Sequence, residues 1–290
     1  LEYIHVTSSN RVQTLLRTKP CVMALGFFDG VHLGHQQVIK EAKRVAEEQE
    51  LPLVIMSFFP HPKEVLSNGK KIIPYLMPIN DKRKIFEELG ADCFYLIQFT
   101  KEFAGLSPRE FVQTYLIDFG AKQVAAGFDF TYGHQGKGNM ETMKNDSDGK
   151  IEGIKVEKLE WKGEKISSTL IRNLILAGEM ERIASYLGND YQIEGTIIFR
   201  KKHVEVVLHP YYLMPASGWY EVTVNLHQEM TTQIAVVREG RITLLPPQGG
   251  VFPFYEWETV RLSWKKVLPK GFVHEEVTRQ VFLSSSLVGL

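Results

Sequence analysis

Gly26-Phe27-Phe28-Asp29-Gly30-Val31-His32-Leu33-Gly34-His35 is the stretch on which the reading of this chain turns. An apolar, strand-like run over 21–28 leads into it, and apolar Val38, Ile39, Ala42, Val45 and Ala46 follow at helical spacing. A strand that feeds a glycine-rich turn into a helix start aims backbone N–H groups and the positive helix end at one point, which suits a phosphate. Gly30 and Gly34 allow positive φ and close backbone approach. His32 and His35 are three apart and so share one side of the first helical turn. Two imidazoles there can donate to anionic oxygens without a full lysine charge. Asp29 suits a metal or water contact, and equally a turn-forming aspartate.

Composition sets the frame around that turn. The 290 residues are 44% hydrophobic and 23% charged, ordinary globular values with material for two domains. Lys+Arg and Asp+Glu are both 34, so the formal net charge is zero and gives no electrostatic case for nucleic acid or an acidic membrane as partner. Cys21 and Cys93 sit in apolar runs and read as buried thiols of a reducing compartment, not as a disulfide or a metal pair. The longest apolar runs, 51–59 and 93–99, are of strand length and too short to span a bilayer. The first residues lack a charged segment followed by an apolar one, so the expected location is the cytoplasm.

Over 1–187 strand and helix patterns alternate. Strand runs fall at 22–27, 53–58, 93–98 and 123–128, with a weaker one at 154–161. Asn80-Asp81 precedes a helix over 82–89 that Gly90 stops, and Ser107-Pro108-Arg109-Glu110 is a capping box with proline at the first helical position. The alternation predicts a mostly parallel, doubly wound sheet, with ligands bound beyond the carboxyl ends of its strands. Two further stretches stand at such ends, and a third opens a helix. Ser57-Phe58-Phe59-Pro60-His61-Pro62 is a rigid strand exit or a loop beside a ligand, with Pro62 restricting His61 to extended conformations. In Gly127-Phe128-Asp129-Phe130-Thr131-Tyr132-Gly133, aromatics alternate with polar residues, as a platform for a flat ring or as core. Lys165-Ile166-Ser167-Ser168-Thr169-Leu170-Ile171-Arg172 opens a helix on serines, an N-cap or an anion cradle, with Arg172 one turn further on the same face.

The first stretch resembles the HxGH signature of the α/β-phosphodiester-forming nucleotidyltransferases, and its Phe-Asp-Gly form is similar to prokaryotic FAD synthetases, which adenylate FMN and usually carry a riboflavin kinase domain. The Phe-x-Pro-His-Pro loop, the aromatic loop and the Ser-Ser-Thr-x-Ile-Arg string resemble that family in the same order, over about 21–187. The resemblance implies a doubly wound α/β nucleotidyltransferase domain of the HUP type. It assigns His32, His35 and Arg172 to catalysis and Gly26, Phe27, Asp29, Gly34, Asp129, Ser167, Ser168 and Thr169 to ATP. It further assigns His61, Phe128, Phe130 and Tyr132 to the flavin. FMN and ATP are then the small-molecule substrates and FAD the product. Mg²⁺ bridges phosphate oxygens and keeps much of its water, so a protein cage need not be visible.

From Tyr191 onward short β-rich runs at 192–199, 204–208, 219–226, 233–237 and 259–264 predict a small antiparallel barrel, placing the division at 1–187 and 188–290. Tyr191-Gln192-Ile193-Glu194-Gly195 and Met214-Pro215-Ala216-Ser217-Gly218-Trp219-Tyr220 resemble landmarks of the riboflavin kinase barrel. Between them that family carries Gly-Phe-Pro-Thr-Ala-Asn, whose threonine and asparagine bind metal and ATP phosphates. Here Arg200-Lys201-Lys202-His203-Val204-Glu205-Val206-Val207-Leu208-His209-Pro210 stands instead, without glycine, threonine or asparagine. The family's long polar C-terminal helix is also not readable after Phe282-Leu283. The expectation is a FAD synthetase with a kinase-inactive barrel; the alternatives are a bifunctional enzyme, a nucleotidyltransferase acting on another acceptor, or a flavin or nucleotide sensor.

Overall fold

The computed structural model describes residues 1–200, 203–227, 229–246 and 254–269. Two compact units divide the chain, Leu1–Ile166 and Ser167–Leu290. The first is built on six strands, β1 (Glu2–Val6), β2 (Cys21–Leu25), β3 (Leu53–Phe59), β4 (Cys93–Gln98), β5 (Ala121–Gly127) and β6 (Glu152–Val156). They pair in the order β1-β4-β3-β2-β5-β6, every pair parallel. Strand β2 is buried along its whole length and β3 nearly so, as expected for parallel strands covered on both faces. The pleat divides their side chains by period two. Met23, Leu25, Val54, Met56, Tyr95 and Ile97 join one core, while Val22, Ala24, Leu53, Ile55, Phe94 and Leu96 join the other.

Helix α1 (Leu33–Glu48) covers the second core through Val38, Ile39, Ala42, Val45 and Ala46, the residues its spacing predicts. Helix α2 (Ile79–Glu88) begins three residues before the expected start, with Pro78 as its N-cap, and buries Lys82 and Phe86. The capping box at Ser107 forms as predicted, and its helix continues into a π-helical stretch, Val112–Ile117. Strand β1 was not anticipated, because an edge strand with a mostly exposed or half-buried pattern carries little periodic signal. The winding of the sheet matters most for function. From β2 the chain steps outward through β3 and β4, then returns to lay β5 on the other side of β2. The strand order therefore reverses between β2 and β5, and the turn 26–35 leaves β2 at that point.

The second unit opens with α3 (Ser168–Ala177) and α4 (Met180–Leu187). By packing, both helices belong with the barrel, so the compact units part at 166/167, whereas the change of sequence pattern falls after 187. The barrel is closed by β7 (Tyr191–Arg200), β8 (His203–Leu208), β9 (Gly218–Leu226), β10 (Glu229–Arg238), β11 (Arg241–Leu244) and β12 (Thr259–Val267). Its circuit is β7-β8-β11-β10-β9-β12, antiparallel throughout. Alternate residues such as Ile193, Val204, Val206, Val222, Val224, Leu244, Leu262 and Trp264 fill the interior. Lys201, Lys202 and the end of the chain, Phe282-Leu283 included, lie outside the described residues.

Candidate active site

At the end of β2 the backbone enters the left-handed region three times in four residues, at Phe28 (φ 48°), Gly30 (φ 82°) and Val31 (φ 41°). Gly30 accepts this freely, whereas a bulky or β-branched residue there stores of order 1–3 kcal/mol of strain. Packing holds both strained residues: Phe28 and Val31 are each 1% exposed. The Val31 N–H donates to the Phe28 carbonyl (3.2 Å), and the Gln36 side-chain amide donates to the Val31 carbonyl (3.0 Å). Gly26, just past the end of β2, keeps contact with β3, its N–H donating to the Met56 carbonyl (3.3 Å).

His32 is the N-cap of α1, and its Nδ1 accepts the backbone N–H of His35 at 3.2 Å. A neutral imidazole that accepts at Nδ1 carries its proton on Nε2, so His32 presents an N–H donor from the helix start. The two imidazoles lie stacked, centroids 3.6 Å apart and 16° between planes, and the Phe28 ring meets His35 edge-on at 5.4 Å. Gly34 leaves room for the stack, since a Cβ there would come to 3.3 Å from the His32 ring and press on it. Burial is the main force on both protonation equilibria. It pulls His32 down to about 4, the Asp129 carboxylate opposing and Lys165 assisting. His35 lies well below the ordinary histidine value, through burial, His32 and Lys82. Both rings are neutral near pH 7 and act as hydrogen-bond donors rather than charges. The buried Nδ1 of His35 has no hydrogen-bond partner among the described residues, so the less costly tautomer leaves a lone pair there and an Nε2–H, as in His32.

Beneath the turn lies a network of contacts, joined by Lys82, that the motifs did not reveal. The Phe27 carbonyl accepts two hydrogen bonds, from Ser57 Oγ of β3 (3.0 Å) and from Lys82 Nζ of α2 (2.8 Å). Ser57 is fully buried and Lys82 is 3% exposed. Burial lowers Lys82 to about 8, with Asp29 opposing the shift. Asp29 is itself turned inward, its Oδ1 accepting the Leu76 N–H at 2.9 Å. Of the two readings left open for Asp29, this favours the one that makes it part of the turn. A lysine between Ile79 and Phe86 on an otherwise apolar helix face was the available signal.

The remaining candidates distribute as follows. His61 leaves β3 on the loop, with its N–H on the Tyr75 hydroxyl (2.8 Å) and its ring 5.0 Å from that of Phe27. After β5, Phe128 is exposed, with the Lys165 ammonium 4.5 Å from its ring centroid and paired with Asp129 at 2.7 Å. An exposed ion pair of this kind contributes at most about 1 kcal/mol, so ring and carboxylate both remain available to a ligand. Phe130 is half-buried against the core. Tyr132 must be corrected: it is 4% exposed, stacked on Phe111 at 5.2 Å, and its hydroxyl donates to Asp146 at 2.7 Å. Its ring is core and leaves no face for a flavin. In the second unit Ser167 caps α3, its Oγ accepting the Leu170 N–H at 3.2 Å. Ser168 and Thr169 occupy the first turn, and Arg172 is half-buried one turn on.

The sequence profile of FAD synthetase matches residues 15–170. The bifunctional riboflavin kinase/FMN adenylyltransferase of Bacillus subtilis is 40% identical over 238 residues, 79% of this chain and 75% of that protein. Its namesake from Listeria monocytogenes is 42% identical over 216 residues, 72% of this chain and 69% of that one. The FAD synthetase of Listeria monocytogenes is 27% identical over 240 residues, 81% of this chain and 94% of that one. Among solved structures, one described as a macrolide-efflux protein from Streptococcus pneumoniae superposes with a TM-score of 0.79 at 29% identity, over 92% of this chain and all of that one. Among the described residues no helix is long and apolar enough to cross a membrane.

Proposed function

This chain belongs to the FAD synthetase family, and on that premise we propose that it transfers AMP from ATP to FMN, giving FAD and pyrophosphate. A phosphate oxygen of FMN attacks the α-phosphorus of ATP in line, forming the new P–O bond as the bond to the β-phosphate oxygen breaks. Charge builds on the α-phosphoryl oxygens and on the leaving pyrophosphate, so the protein's task is to position two anions and to stabilise that charge. The observation that carries this reading is the stacked, neutral His32–His35 pair at the start of α1, at the point where the strand order reverses. Their Nε2–H groups and the free N–H groups of the helix start donate to the α-phosphoryl oxygens. Ser167, Ser168, Thr169 and Arg172 bind the ATP phosphates, Arg172 as a planar fork. Gly26, Phe27 and Gly34 let the nucleotide approach the backbone. Phe128 and Asp129, with His61 and the edge of Phe130, serve the ring systems.

No three His, Cys, Asp or Glu side chains converge as a metal cage among the described residues. We take Mg²⁺ to arrive with the substrate as Mg-ATP, whose phosphate oxygens are the hard ligands it prefers. The cytoplasm, where both substrates occur, is the location this reading implies. Incubation with FMN and ATP, against riboflavin and ATP, followed by separation of the flavins, tests the proposal. FAD in the first mixture is expected, and its absence overturns the reading.

The bifunctional reading has one observation in its favour, the names of the two relatives at 40% and 42% identity. Against it stands β8: Val204 and Val206 point into the barrel while Val207 is exposed, a strand where a kinase needs a phosphate loop. We therefore take the barrel as kinase-inactive, and residues 1–187 as the part that carries adenylyl transfer.

A further inference from the structure

We propose that Lys82 is a positioning residue for adenylyl transfer: its buried ammonium, together with Ser57, fixes the Phe27 carbonyl and so holds the turn that presents His32 and His35. The inference rests on the FMN adenylyltransferase reading and adds to it a residue outside the recognised motifs. Stability alone does not account for a lysine here. Taking an ammonium out of water costs several kcal/mol, and replacing a buried charge with a well-packed apolar side chain is often neutral or stabilising. Helix α2 already offers an apolar face at this point, with Phe86 fully buried one turn on.

The geometry shows where the charge is spent. Lys82 Nζ reaches 2.8 Å to the Phe27 carbonyl, whose other lone pair takes the Ser57 hydroxyl at 3.0 Å. Two donors on one carbonyl fix the plane of the peptide between Phe27 and Phe28. The residue after that peptide is Phe28, strained at φ 48° and packed edge-on against His35. A peptide free to rotate would let Phe28 relax toward ordinary dihedrals and withdraw the support beneath the imidazole stack. The same ammonium also disfavours protonation of His35. The groups facing Lys82 are Asp29 and the Phe27 carbonyl from the turn, the Tyr75 ring at 6.0 Å from the preceding loop, and His35 from α1. Those acting on His35 are Lys82 and His32, and His32 in turn feels Asp129 and Lys165.

The test compares full-length wild type with Lys82→Met, an uncharged side chain of similar length, and Ser57→Ala. For each, the melting temperature, kcat and KM for FMN and ATP, and the pH titration of the His35 imidazole by NMR are measured. Lys82→Met is expected to melt at or above the wild-type temperature and to lose kcat by about tenfold or more, the scale on which small misplacements act. Both KM values should stay within about threefold, because the clamp touches no substrate. The His35 titration should move upward, since a nearby cation has gone. Ser57→Ala should show a smaller kcat loss in the same direction without moving the His35 titration. Should Lys82→Met fail to fold, the kcat loss in Ser57→Ala still decides whether the clamped carbonyl matters. A folded Lys82→Met with wild-type kcat, or Ser57→Ala with wild-type kcat where Lys82→Met does not fold, overturns the proposal. Wild type that makes no FAD overturns the functional reading instead, and the His35 titration in Lys82→Met then decides the electrostatic link by itself.

Discussion

Burying an imidazole as deeply as His32 sets its charge before any substrate arrives. Its folded value, about 4, lies below the ordinary 6.5. As pH falls the unfolded chain therefore takes up the proton first, and stability is lost between about 6.5 and about 4. The full difference is worth roughly 3 kcal/mol at about 1.4 kcal/mol per pH unit. Urea denaturation at pH 7 and pH 5 should show about 2 kcal/mol of this loss, and His32→Asn, which keeps a capping acceptor, should reduce the slope, leaving the part that His35 contributes. An equal slope in the two proteins would remove His32 as its cause. Activity responds differently to the same side chains. His32→Ala or His35→Ala should lower FAD formation about 10²–10³-fold, the usual cost of a lost charge-stabilising donor. Both should fold, and a variant with near-full activity would take that histidine out of the mechanism. Since neither histidine is charged near pH 7, any positive charge the protein adds to that of Mg-ATP comes from other residues. Arg172 is half-buried on α3. Arg172→Lys keeps the charge but loses the fork, so KM for ATP should rise or kcat fall; unchanged kinetics would make Arg172 a structural residue of its helix.

Elements were legible where their cause is local. The helical spacing of α1, the Ser107 capping box, the N-cap at Ser167 and the strands β2 to β5 each follow from residues within a few positions of one another. The clamp under the turn was not legible, because Lys82 and Ser57 reach the Phe27 carbonyl across 55 and 30 residues of chain. Such a meeting is set by how β3 and α2 pack, not by spacing. The loop after β5 shows the same limit on a smaller scale. Period two would put Phe128, Phe130 and Tyr132 on one face, but the chain turns directly after β5, the Phe130 N–H donating to the Gly127 carbonyl at 3.0 Å, and the aromatics part company. Phe128 is exposed at 36% and Tyr132 buried at 4%. The two therefore separate in experiment. Tyr132→Phe loses the hydrogen bond to Asp146 and should cost about 1–3 kcal/mol of stability while leaving kcat and KM unchanged. Phe128→Ala should leave stability within about 0.5 kcal/mol and raise KM for a substrate. Wild-type stability in Tyr132→Phe, or wild-type KM in Phe128→Ala, would reverse the assignment of inside and outside.

At the scale of the whole chain the question is what the second unit contributes, since the adenylyl-transfer motifs up to Lys165 lie in the first. Riboflavin phosphorylation is the activity its relatives' names suggest. A kinase must bring backbone close to the ATP phosphates and set hard oxygen ligands around magnesium. In this barrel β8 follows β7 directly, in register from Arg200↔His203 to Gly195↔Leu208. Glu205, the one carboxylate of β8, is engaged by Arg200 at 3.1 Å. Over Val204–Val206 this strand is also paired with β11, so the backbone N–H groups there are spent on two ladders. Pure protein given riboflavin, ATP and Mg²⁺ should therefore yield neither FMN nor FAD, while FMN and ATP yield FAD. Steady FMN production from riboflavin would show that the barrel assembles a kinase site from residues outside this hairpin, and would restore the bifunctional reading.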